Sequence, residues 1–243
     1  MKVLELFSGT HSVGKVCEEK GWEVVSLDLD NADINIDILK WDYKKDYKEG
    51  DFDLIWASPP CHTFSHCRRS WIGRKIKAFG DNVVTAEMLD NDMIENGLPI
   101  VRKTQEILDY FKPEWWFIEN PQTGKMKNYL TDLNYYDVDY CKYSDWGYRK
   151  RTRIWTNNMD FVPKICRKDC DNMFDPSKHK KDIGNLYINK DGKMKKLHKN
   201  NLGGATNKLT GSISKPLDLK YRIPPLLIKD LFEVVERNKK IKY

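Results

Sequence analysis

The stretch Ala57-Ser-Pro-Pro-Cys-His-Thr-Phe-Ser65 places a thiol directly behind two prolines. Proline fixes φ and removes a backbone donor, so Cys61 is presented from a stiffened chain. Free cysteines are more often small buried hydrophobes, and that reading suits Cys17 and Cys141. It suits Cys61 poorly. The run before it reads as a buried strand, and functional groups in open α/β sheets gather just past strand ends. Cys61 is therefore read as a nucleophile, with nearby cations or a helix N-terminus expected to lower its pKa. Three other stretches carry chemistry. "FSGTHSVG", Phe7 to Gly14, is a strand-turn-helix cradle. Gly9 lets the backbone approach a nucleotide-type cofactor closely, and Ser12 is placed to cap the helix. Asp28 is suited to a ribose hydroxyl pair and Asp37 to an adenine amine. "FIENP" closes a strand with Glu119 and Asn120. A carboxyl at an apolar mouth is raised in pKa and can lend a proton, the competing reading being a capping acid in a turn. In "GYRKRTRIW", Arg149, Arg151 and Arg153 share one strand face, while Lys150 and Thr152 share the other. Three guanidinium groups suit carboxylates, phosphates or base carbonyls.

These groups need a scaffold, and the first 157 residues supply one by alternating strand and helix signals. "KVLELFS", "WEVVSLDLD", "DFDLIWAS", "EWWFIENP", "YDVDYCKY" and "RTRIWTN" read as strands, and "INIDILKW" as a short strand or turn. Residues 12–20 place Val13, Val16 and Cys17 at helical spacing. "LPIVRKTQEILDYFKP" does the same with Ile100, Val101, Ile107, Leu108 and Phe111, and Pro113 ends it. Repeated β-α-β predicts an α/β fold with a mostly parallel sheet covered on both faces. From Phe161 to about Ser214 the periodicity fades into a loop-rich insert. "YRIPPLLIKDLFEVVERN" then reads as a Pro-started helix that packs back on the first part.

Bulk properties set limits. With 40% hydrophobic and 12% aromatic residues, the 243-residue chain is not a disordered protein. Six cysteines are too few for a disulfide scaffold. No apolar run reaches the ~18 residues of a membrane span. Met1-Lys2 leads straight into a strand without a signal-peptide shape, so an intracellular rather than secreted protein is expected. Residues 161–243 carry 20 Lys/Arg against 9 Asp/Glu, whereas residues 1–160 carry 22 against 27. A catalytic body with a polyanion-facing end is the expectation. Ser65 to Lys77, with Arg68, Arg69, Trp71, Arg74, Lys75 and Lys77, reads as a closing loop over nucleic acid. Cys67 is read as a bystander. Cys166 and Cys170, with His179 and then His198, have a spacing permissive for zinc, the alternative being a Cys pair in a hydrophobic cluster. No metal is assigned to the chemistry.

In this order, the four stretches resemble the cytosine-5 DNA methyltransferases, which use S-adenosylmethionine. That family has a Phe-x-Gly opening, a Pro-Cys nucleophile followed by Phe-Ser, a Glu-Asn motif and a Gln-x-Arg-x-Arg motif. Here they read "ELFSGTHSVG", "PPCHTFS", "ENP" and "RKRTR", and "YRIPPLLIKDL" is similar to the closing motif. The resemblance covers residues 1–157 and about 216–236. His62 and Arg149 stand where the family usually has Gln, Pro121 where it has Val, and Tyr221 where an Asn would touch the cofactor. The resemblance implies a doubly wound, Rossmann-like sheet of the class I S-adenosylmethionine-dependent type. It implies a catalytic domain of residues 1–157 and 215–243, and a small target-recognition-like domain at 158–214. Cys61 would attack carbon-6 of cytosine, Glu119 would act at N3, Arg153 would hold O2, and Arg151 would position Glu119 or a phosphate. Phe7, Ser8, Gly9, Thr10, Asp28, Leu29, Asp37, Ile38 and Pro60 would line the cofactor site, with S-adenosylhomocysteine as product. Double-stranded DNA is the implied partner, with a monomer acting away from membranes; the alternatives are the same chemistry on transfer RNA and a catalytically silent nucleic-acid-binding relative. The compact form looks like viral or phage members, and restriction-modification is one setting for such enzymes.

Overall fold

The computed structural model describes residues 1–146, 149–170, 172, 186–188, 194–196 and 221–241. Seven strands form one sheet: β1 Lys2–Leu6, β2 Glu23–Asp28, β3 Ile34–Asn35, β4 Leu54–Ala57, β5 Trp115–Pro121, β6 Tyr135–Asp139 and β7 Arg151–Thr156. Their order is β3-β2-β1-β4-β5-β7-β6. β1 to β5 are parallel, and β7 runs antiparallel to both β5 and β6. The helices are α1 Ser12–Glu19, α2 Tyr43–Asp46, α3 Ala86–Asp92, α4 Leu98–Phe111 and α5 Pro225–Ile241. A separate antiparallel pair joins β8 Leu186–Ile188 to β9 Met194–Lys196. The expected doubly wound, Rossmann-like sheet is what the chain builds. α3 and the π-turn Met93–Gly97 behind it were not legible in the sequence.

Strand parity assigns each residue to a face. Val3, Leu54, Trp56, Phe117 and Ile154 pack against Val13 and Val16 of α1 and against Leu227, Leu231 and Phe232 of α5. Leu4, Leu6, Ile55 and Ile118 face the other way, onto Val101, Ile107 and Phe111 of α4. α5 therefore returns to the first helix, as the sequence suggested. Phe161 and Cys166 are buried too, and Phe161 joins the α1/α5 core, so the packed body continues past residue 157. His179, His198 and most of the expected 158–214 domain lie outside the described residues. By the same parity, Glu5 on β1 and Glu119 on β5 share the face that carries α1 and α5. Two carboxylates in otherwise apolar strands are thus aimed to one side.

The chain leaves β1 toward β2 and β3 on one side, then returns to β4 on the other. The carboxyl ends of β1 and β4 flank this switch, where loops diverge and leave a crevice. Phe7–His11 follows β1 and Ser58–Cys61 follows β4.

Candidate active site

Phe7, Gly9 and His11 all have positive φ (61°, 47° and 52°), so the loop after β1 is tightly coiled. Phe7 and Ser8 both donate their backbone N–H to Leu27 O, which ties this loop to β2. Gly9 donates its N–H to Asp28 Oδ2 at 2.8 Å. Ser12 does not cap α1. Its hydroxyl pairs with Thr10 Oγ1 and accepts from Ile223 N. The helix start is satisfied instead by Glu5, which accepts from Val13 N at 3.1 Å and Gly14 N at 2.9 Å. A Cβ on residue 14 would stand 2.8 Å from Glu5 Oε2, so this approach requires glycine. Burial pushes the Glu5 carboxyl up to about 7, against the pull of those two N–H groups. The sequence reading missed Glu5; an acid inside the apolar strand "VLELF" was the available signal.

The nucleophile loop is held from three sides. Asn120 Nδ2 donates to Pro59 O at 2.8 Å, so the Glu-Asn strand end props the proline pair. Lys125 N donates to Phe64 O at 2.9 Å. Gly97, at the entry to α4, lies so close that an added Cβ would stand 2.3 Å from Thr63 Oγ1. Cys61 is half-buried at the mouth of the crevice. Burial and the charge of Glu119 push its thiol upward, while Lys150 pulls the other way. The expected lowering is therefore absent: no helix begins at Cys61, and the nearby carboxylate opposes thiolate formation.

Glu119 is buried and accepts from Tyr140 Oη at 2.9 Å, from Thr152 Oγ1, and from Lys150 Nζ at 3.4 Å. β7 pairs with β5 in the register Glu119↔Ile154, Asn120↔Arg153, Pro121↔Thr152. That register turns the Lys150/Thr152 face toward Glu119 and the arginine face away. Arg153 pairs with Asp137 at 2.8 and 2.9 Å and stacks 3.5 Å from the centre of the Tyr135 ring. Arg151 pairs with Asp139 at 3.1 and 2.7 Å, and Arg149 adds a contact at 3.2 Å. Burial raises the Asp139 carboxyl, but Arg151, the Cys166 N–H and Arg149 outweigh it and hold the group below its usual range. The structure thus brings Cys61, Glu119, Lys150 and Thr152 together, and leaves Arg151 and Arg153 bracing β6.

One cavity of about 770 Å³ joins the two loops. Phe7, Ser8, Gly9, Thr10, Asp28 and Pro60 line it at the β1 end, and Cys61, His62, Glu119 and Lys150 at the other. Leu29, Asp37 and Ile38 are not among its lining residues. Leu29 is exposed, Ile38 is buried in the α4-side core, and Asp37 caps a short turn by accepting from Leu39 N. Asp30, Asn31 and Tyr221 stand at the cavity instead. In the Ser65–Lys77 loop, Arg68 is buried: it pairs with Asp92, donates to Thr63 O and stacks on Trp71. Arg69, Arg74, Lys75 and Lys77 remain exposed.

A curated relative from Frog virus 3 (isolate Goorha), named "Probable DNA (cytosine-5)-methyltransferase", is 42% identical over 238 residues, 96% of this chain and 100% of the relative. Among solved structures, the Entamoeba histolytica methyltransferase EhMeth is 12% identical with a TM-score of 0.47, over 68% of this chain and 56% of that one. A Spodoptera frugiperda DNMT2 mutant is 19% identical with a TM-score of 0.40, over 72% of this chain and 56% of that one. The chain thus spans just over half the length of these solved structures. No family model matches the chain.

Proposed function

The chain belongs to the cytosine-5 methyltransferase family, and on that premise we propose that it transfers a methyl group from S-adenosylmethionine to carbon-5 of cytosine in double-stranded DNA. The observation that carries this reading is the cavity shared by the Gly9 loop and Cys61. The β1 end fits the cofactor. Ser8 Oγ is buried there with no hydrogen-bond partner among the described residues, and a Cβ on Gly9 would meet nothing nearer than 3.9 Å. Asp28 stands at the rim, suited to ribose hydroxyls. When bound, S-adenosylmethionine supplies an electrophilic methyl group.

The chain's own residues would do the rest. Carbon-5 of cytosine is a weak nucleophile until a bond forms at carbon-6. Cys61 Sγ would make that bond after losing its proton to solvent, and the electron pair freed at carbon-5 would take the methyl group. A water would then remove the carbon-5 proton, expelling the Cys61 sulfur and restoring the ring. Negative charge builds on the pyrimidine during attack. Glu119, oriented by Tyr140 and Thr152, would in its protonated form donate to N3, and Lys150 would balance the carboxylate charge that remains as the proton moves to the ring. Asn120 would fix the Pro59-Pro60 backbone from which Cys61 reaches. The base must leave the stack to enter, at a cost of a few kcal/mol. The basic surplus of residues 161–243 supports a polyanionic substrate, and target recognition is assigned to residues 158–214.

Methyl-labelled S-adenosylmethionine offered with duplex DNA, transfer RNA and free deoxycytidine nucleotides tests this. Label in duplex DNA at cytosine carbon-5 is expected. Label only in transfer RNA would move the substrate to RNA, and label in none would reject the activity.

A further inference from the structure

Cys141, Cys166 and Cys170 come together from separate parts of the chain. Cys141 lies in the short turn Tyr140–Lys142 that follows β6, and the other two follow β7. Their three Sγ atoms lie within 4.8 Å of one another, and the Cys166–Cys170 pair is 3.4 Å apart. That is too far for a disulfide, whose sulfurs sit about 2 Å apart. It brackets the spacing of thiolates around one tetrahedral ion: bonds of about 2.3 Å place neighbouring sulfurs roughly 3.8 Å apart. Cys141 and Cys166 are buried and Cys170 is half-buried.

Backbone N–H groups stand near two of these three sulfurs. The N–H groups of Lys168 and Asp169 point at Cys166 Sγ, and that of Asn172 points at Cys170 Sγ. Lys168 adopts φ 67° in this turn, a left-handed conformation uncommon for a lysine. Donors that look back at a sulfur one turn earlier stabilise and orient its charge, as outer-shell partners do at metal sites. Cys166 N is fixed by Asp139 Oδ2 at 2.8 Å, and Asn172 Nδ2 donates to Cys141 O at 3.2 Å. Lys142, paired with Asp169 at 2.8 Å, lies beside the cluster and offsets its charge. Three thiols that merely filled a hydrophobic pocket would need none of these directed groups.

We propose that Cys141, Cys166 and Cys170 bind a structural zinc ion that pins the chain's exit from β7 to the turn after β6. Soft thiolates select zinc over hard cations. Binding releases the thiol protons to solvent, and the fourth position takes water. The ion would also hold Cys166 N on Asp139, and through it Arg149 and Arg151.

Metal analysis of the full chain, purified under reducing conditions and given zinc, tests this independently of methyl transfer. About one zinc per chain is expected, released when a mercurial titrates the thiols. Cobalt in its place should give a sulfur-to-cobalt charge-transfer band and tetrahedral visible bands. Cys170→Ser, at a half-buried position, should weaken zinc binding at least about tenfold. Cys67→Ser, at an exposed cysteine outside the cluster, should leave it unchanged. Wild-type chain that takes up no zinc under these conditions would overturn the proposal, as would a Cys166–Cys170 disulfide or stoichiometric iron.

Discussion

Replacing Lys150 by methionine keeps the length of the side chain and removes only its charge. Lys150 Nζ stands 3.4 Å from Glu119 Oε1, and the two side chains are 21% and 6% exposed. At an effective dielectric of 20, unit charges at that separation attract by about 5 kcal/mol. The partial exposure of Lys150 and relaxation of the site reduce this to about 1.5–3 kcal/mol. The attraction to Glu119 exists before attack, whereas charge on the pyrimidine appears only as Cys61 attacks, so the part of this loss that falls on the transition state is the part in which Lys150 balances that developing charge. The expected result is a kcat about 10- to 100-fold lower with KM little changed, read in single-turnover methyl transfer. Lys150 also counters the upward push on Cys61, so the variant's rate should rise with pH later than wild type. Arg153→Met is the contrast. It breaks the pair with Asp137, so it should lower the melting temperature yet keep kcat per folded molecule within about threefold. Full activity in Lys150→Met, together with an inert but folded Arg153→Met, would refute the assignment.

Other expectations follow from the same geometry. Because burial and Glu119 raise the Cys61 thiol, kcat/KM should keep climbing as pH rises through and beyond the ordinary thiol range; a plateau by neutral pH would contradict this. Glu5 titrates near 7 in the fold and near 4.5 unfolded, so the native state holds its proton more tightly. The stability from this group is full below about 4.5, falls as pH rises to about 7, and is then lost, a total of about 3 kcal/mol. Urea melts should show that slope, and Glu5→Gln should flatten it. Gly97→Ala would drive a methyl into Thr63 Oγ1 and the Phe64 ring, so it should cost about 1–3 kcal/mol in a thermal melt and lower kcat by displacing the Cys61 loop.

The sequence exposed much of this molecule because its signals are local. An alternating strand followed by Gly, or a strand followed by Pro-Pro-Cys, reports a strand end whatever the partners are. The order of such ends places Gly9, Asp28, Cys61 and Glu119 on one rim. The alternation in "RKRTR" likewise separated arginines from Lys150 and Thr152. It could not say which set faces the cavity, because that depends on the register of β7 against β5, a non-local pairing. Arg68 was hidden for a similar reason: its partner Asp92 belongs to a helix that was not read. Cys141 looked like an ordinary buried thiol because its neighbours Cys166 and Cys170 are distant in sequence. Asp37, read as an adenine acceptor, and Ile38, which entered by family resemblance, instead cap a turn and fill a core.

The central claim is a covalent bond between Cys61 and a pyrimidine carbon. Duplex DNA carrying 5-fluorocytosine cannot lose its carbon-5 substituent as a proton, so the methylated adduct should stall on the protein. Incubation with S-adenosylmethionine, digestion and mass spectrometry should locate the modified nucleotide on Cys61, and Cys61→Ala should trap nothing while still binding the cofactor. An adduct on another residue, or turnover by Cys61→Ala on ordinary DNA, would contradict the account.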